Sequence, residues 1–141
     1  MRKILRILAL IFSAGCIGGL TNSLVVWLSG VLGITVALGV SIAPNLTPDW
    51  LYPRIVWGGL WGFLFIAPLL KNSPYLRGLM FSLGPTVIQL FFIFPFVANK
   101  ELLGLGLGTL TPVFVVFFNA VWGIVAAILL TKIENEPDSA T

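Results

Sequence analysis

Apolar residues fill this chain in four long stretches, separated by short segments rich in proline, glycine or charge. The first stretch follows Met1-Arg2-Lys3 and spans residues 4–28. Its length predicts a helix able to cross a hydrocarbon core of about 30 Å. Residues 29–43 stay apolar but are spaced by Gly30, Gly33 and Gly39. About fifteen residues is short for a crossing, so this piece is expected to re-enter the bilayer or lie at its interface. Thr47-Pro48 then marks a helix start, with the hydroxyl as cap and proline where its missing N–H costs nothing. Pro53 is expected to kink or restart that helix, and the second span covers 53–70, with Trp50 and Tyr52 at headgroup level.

Lys71-Asn72 makes a turn, and Ser73-Pro74 repeats the cap-plus-proline signal. The third span covers 76–97, with Gly84-Pro85 near its middle, where proline predicts a kink. Residues 98–110 form a second apolar connector, spaced by Gly104, Gly106 and Gly108, and Thr111-Pro112 opens a fourth span over 112–133. The tail, 134–141, is polar and acidic, which predicts disorder.

The pattern occurs twice. Leu46-Thr47-Pro48 leads to Val56-Trp57-Gly58, and Leu110-Thr111-Pro112 leads to Val121-Trp122-Gly123. Upstream, Leu5-Arg6 with Phe12-Ser13-Ala14-Gly15 matches Leu76-Arg77 with Phe81-Ser82-Leu83-Gly84. The expected fold class is an all-α integral membrane protein of four transmembrane helices. They form two tandem, duplicated hairpins, 1–70 and 71–133, joined within each half by a glycine-rich apolar outer connector.

Composition agrees with a bilayer environment. Hydrophobic residues make up 58% and charged residues 9%, against about 25% charge in a soluble domain. Six basic residues, Arg2, Lys3, Arg6, Lys71, Arg77 and Lys132, fall on one side of such a topology, and only Arg54 and Lys100 on the other. The positive-inside rule therefore predicts cytoplasmic N- and C-termini in a bacterial-type inner membrane. Ser13-Ala14-Gly15-Cys16 resembles a lipoprotein cleavage box, but the apolar run continues past it, which favours an uncleaved first span.

Several chemistries are excluded. The chain has no histidine and one cysteine, so it offers no intrachain disulfide, no Cys/His zinc site and no histidine base. All five carboxylates, Asp49, Glu101, Glu134, Glu136 and Asp138, lie at segment ends or in the tail. No enzymatic activity and no cofactor or metal is expected. The basic residues are scattered, so nucleic acid is not a partner, and the 104–108 glycines lack the strand and lysine of a nucleotide loop. The expected partners are the lipid bilayer and either a second copy of the chain or another membrane protein.

Small residues recur at four-residue spacing, among them Gly15 and Gly19, Gly58 and Gly62, Gly78 and Ser82, and Asn119 and Gly123. Such ridges let helices approach closely in lipid. Asn22, Gln89 and Asn119 fall at one depth, roughly 10 Å below the outer surface at 1.5 Å per residue, and Trp57 lies near that layer. These residues form either a ring of interhelical hydrogen bonds or a neutral polar layer lining a path. Arg54 is the candidate anion or headgroup contact, or a partner for Asp49. The expected role is that of a structural, assembly or lipid-interacting component. The alternative is a passive channel or a small-solute or ion transporter using the neutral layer.

Overall fold

The first helix shows how local signals set the element ends. α1 (Arg2–Val31) is a single helix that passes through Ser13-Ala14-Gly15-Cys16 without a break. It stops where Gly33 takes a left-handed conformation, φ 73°, and sends its N–H back to the Gly30 carbonyl. The computed structural model describes residues 1–136, so most of the acidic tail lies outside the described residues.

α1 runs three residues beyond the expected end at Leu28, and the remainder of the 29–43 segment holds one helical turn, α2 (Ile34–Ala37). α3 (Pro48–Gly62) begins as the sequence predicts, with the Trp50 N–H donating to Thr47 Oγ1 at 3.3 Å. Pro53 sits inside α3 without interrupting it. A 3-10 turn, Phe63–Ile66, continues the helix, so this stretch is helical over 48–66 instead of the expected 53–70. The early stop has a local cause: Ala67 precedes Pro68, whose ring excludes the helical region for the residue before it, and Ala67 sits at ψ 125°.

α4 (Pro74–Ile88) carries Pro85 internally and leads into a π-helical stretch, Gln89–Val97. The wider turn accommodates Pro95, whose ring would clash with the Phe91 carbonyl in α register. After a 3-10 segment, Leu102–Leu107, α5 (Thr111–Asn135) completes the chain. No strand occurs among the described residues. Three helical stretches are long and apolar enough to cross a membrane, Arg2–Val31, Pro74–Val97 and Thr111–Asn135.

α3 packs along α1, α1 along α5, and α5 along α4, whereas α3 and α4 scarcely touch each other. The helices are therefore ordered α3, α1, α5, α4, with the two outer members facing each other across a cleft. Backbone contact closes the seams. A Cβ on Gly15 would lie 2.5 Å from the Gly58 carbonyl oxygen, and one on Gly78 equally close to that of Gly123. Gly19 and Gly62 join the α1–α3 seam. The two Val-Trp-Gly glycines thus serve corresponding seams, but other matched residues diverge. Arg77 is 1% exposed while Arg6 is open to the surroundings, and Gly84 faces Leu64 and Trp61, away from the α4–α5 seam.

The half of the molecule near the chain termini holds an apolar cluster that includes Ile11, Phe65, Phe81, Trp122 and Leu130. Trp122 tops this cluster, and its Nε1–H is shared between the carbonyls of Gly15 at 3.1 Å and Gly58 at 3.2 Å. One indole therefore ties α5 to both α1 and α3. At the other side of the cluster, Arg77 donates to the Phe65 carbonyl at 2.9 Å and lies 3.9 Å from Glu134.

Candidate functional site

Trp50, Arg54, Trp57 and Trp61 follow one another at spacings of four, three and four, which aligns them on one face of α3. That face looks across the cleft toward α4. Pro85, Ile88 and Gln89 stand opposite, and Asn22 of α1 and Asn119 of α5 line the back wall. Together they enclose a cavity of about 330 Å3. Trp61 and Leu64 meet Gly84 at its lower end, and Trp122 also lines it.

Arg54 is the only charged group lining this cavity among the described residues. Its Nη2 donates to Asn22 Oδ1 at 2.8 Å and its Nε to Ser23 Oγ at 3.0 Å. The guanidinium carbon lies 4.7 Å from the centre of the Trp50 ring, a cation–π arrangement. Nη1 has no protein acceptor among the described residues. The expected alternative pairing with Asp49 does not form: no ion pair joins Arg54 to a carboxylate among the described residues. Residues five apart on a helix point about 140° away from each other, at 3.6 residues per turn, so Asp49 faces elsewhere and stays exposed.

The three amides do not close into one ring. Asn22 Oδ1 accepts from Arg54, and its Nδ2 donates to the Phe118 carbonyl. Asn119 donates to Thr86 Oγ1 at 3.1 Å and to Gln89 Oε1 at 3.3 Å. The Gln89 amide nitrogen is left with no acceptor among the described residues. Trp57 lines the same cavity, 49% exposed, and stacks edge-on against Trp61 with centroids 5.9 Å apart. The buried Trp61 Nε1–H has no acceptor either.

A second cavity of about 340 Å3 lies above the first and shares Asn22, Arg54, Gln89 and Asn119 with it. Its roof comes from the two connectors, through Ser41, Ile42, Ala43, Pro44 and Leu107. The connectors are tied by the Ser41 N–H donating to the Leu107 carbonyl at 2.8 Å. Comparisons with protein-family models, with curated proteins and with solved structures find no match.

The structure thus brings Asn22, Gln89, Asn119, Trp57 and Arg54 to one place. Gly15, Gly62 and Gly123 stay in the helix seams, while Gly19 and Gly58 serve a seam and also line the cavity. Sequence reasoning missed Trp50, Trp61, Ser23, Thr86 and Trp122. The regular spacing of aromatic residues about Arg54 is the signal that identifies the first two. Ser23, Thr86 and Trp122 act through helix pairings that no spacing along the chain reveals. Chemically, the site offers a fixed cation with a spare donor edge, neutral amides and indole walls.

Proposed function

We propose that this is a non-enzymatic, lipid-interacting protein of a bacterial-type inner membrane. It crosses the membrane four times as two tandem hairpins, with both termini cytoplasmic, and binds the anionic head of an amphiphile in the cleft between α3 and α4. The carrying observation is Arg54: a guanidinium held by Asn22 and Ser23, without a carboxylate partner among the described residues, facing a cleft whose two sides meet only at its lower end. A partly buried cation without a counter-ion favours an anionic occupant, because desolvation makes unpaired charge costly. The unsatisfied Trp61 N–H adds a second reason for an acceptor-rich occupant. The apolar rims, with Trp57, Val56 and Leu60 exposed on α3 and Val87 on α4, suit entry from lipid. The fourth crossing is α3 with its 3-10 extension, 15 and 4 residues, together about 30 Å long.

Binding of anionic and zwitterionic lipids to the purified protein, read by native mass spectrometry, tests this reading. Arg54→Gln is expected to weaken anionic-lipid binding about ten- to a hundredfold, since hydrogen bonds to charged groups contribute about 1.5–3 kcal/mol. Unchanged retention in Arg54→Gln overturns the reading.

One observation favours the conducting alternative: the two cavities share a polar partition. Opposing it, the side chains beneath Trp122 form an apolar cluster, and both cavities are lined by residues on the connector side of it. Solute or ion flux in proteoliposomes, lost on Asn22→Leu with Asn119→Leu, would favour conduction over binding.

A further inference from the structure

We infer that the head recognised in this cleft is a phosphodiester bearing an uncharged, hydroxylated group, and that this group occupies the chamber beneath the connectors. The inference rests on the amphiphile-binding reading and specifies its ligand. Arg54 stands at the boundary of the two cavities, with Nη1 as a donor without a protein acceptor among the described residues, and the Gln89 amide nitrogen, likewise without one, lines the same two cavities from the other wall. A phosphodiester between them offers one non-bridging oxygen to each. Below this boundary Trp57, Ile88 and Ile93 give apolar walls that suit an acyl chain, and the Trp61 N–H, which has no acceptor among the described residues, suits an ester oxygen of the lipid.

Above the boundary lies a space of about 340 Å3, within the range of about 300–1,000 Å3 typical of small-molecule sites. This upper chamber decides the rest of the head. No carboxylate lines it among the described residues, so an ammonium has no counter-charge there. Trp50, the indole that lines this chamber, already carries the Arg54 guanidinium over its ring. A second cation would moreover face the Arg54 charge directly. Hydroxyl groups meet suitable partners in Ser41, Gln89 and Asn119, which both donate and accept. A phosphoglycerol or phospho-sugar head fits these constraints, and phosphoethanolamine or phosphocholine does not.

The test uses the full-length protein in neutral detergent, with phosphatidylglycerol, phosphatidic acid, phosphatidylethanolamine and phosphatidylcholine of one chain length competing in pairs. Phosphatidylglycerol is expected to be retained at least tenfold better than either zwitterionic lipid. Val26 lines the upper chamber and not the lower one, and Val26→Phe is expected to lose phosphatidylglycerol while keeping phosphatidic acid, which has no head beyond its phosphate. Retained phosphatidic acid also reports that the variant is folded; if it is lost too, the wild-type ranking decides alone. Equal retention of phosphatidylglycerol and phosphatidylethanolamine, with both lost in Arg54→Gln, overturns this inference and leaves the anionic-amphiphile reading standing. Free glycerol phosphate competing as well as the lipid overturns the lipid as its source. Retention of no anionic lipid removes both readings.

Discussion

Two tryptophans in the same Val-Trp-Gly setting have opposite fates. Trp122 is 3% exposed and bonds two carbonyls on two other helices, whereas Trp57 stands half open in the cleft wall. Trp122→Phe removes both hydrogen bonds and leaves two buried acceptors dependent on their intrahelical partners. A loss of about 1–3 kcal/mol is expected, read as earlier thermal unfolding in detergent. Trp57→Phe keeps an aromatic wall and is expected to stay within about 0.5 kcal/mol of wild type. The residue types at the site were legible in the sequence, since a lone arginine, two asparagines and a glutamine stand out in apolar stretches. Their partners were not. Arg54 could be assigned to Asp49 from proximity along the chain, yet it bonds Asn22 and Ser23, more than thirty positions away.

At the scale of the element, helix ends follow local chemistry. Thr47 caps α3, Gly33 ends α1, and Pro68 ends the Phe63–Ile66 turn through the backbone of Ala67. The connectors depend on glycine for a different reason. Gly104 sits at φ 71°, and a Cβ there would meet the Phe94 ring at 2.5 Å, so conformation and packing both exclude a side chain. Gly104→Ala is expected to loosen the 98–110 connector at a cost of about 1–3 kcal/mol. Amide hydrogen exchange should then quicken across 98–110 and at Ser41, which is tied to Leu107, while α1 and α5 keep their protection. Unchanged exchange at Ser41 would show that the connectors are not coupled. The π-helical run at Gln89–Val97 was not legible, because Pro95 announces a disturbance without saying which register absorbs it.

For the whole molecule, the number of crossings fixes where the termini lie. Four crossings place both ends on one side, and three place them on opposite sides. Reporter fusions at Met1 and Asn135 are expected to report the same, cytoplasmic compartment, with a fusion in the 98–110 connector on the other side. Opposite compartments for the termini would remove α3 as a span. The ordering α3, α1, α5, α4 also explains why the cleft exists. Glycine seams close α1 on α3 and α4 on α5, and α1 packs on α5, so no glycine seam joins α3 to α4.

The amino-acid sequence alone determined the all-helical, membrane-compatible character of the chain, most helix starts, and the scarcity of reactive groups. These follow from composition, from apolar run length and from backbone rules that act within a few residues. The tertiary structure alone decided which glycine ridge meets which, which tryptophan is buried, and that Arg54 faces a cleft instead of a carboxylate. The physical reason is the sameness of the helices. Small-residue ridges occur on all of them, and in lipid any two could close together. Only the three-dimensional packing leaves α3 and α4 apart along most of their length, and that gap opens a cavity beside the polar layer.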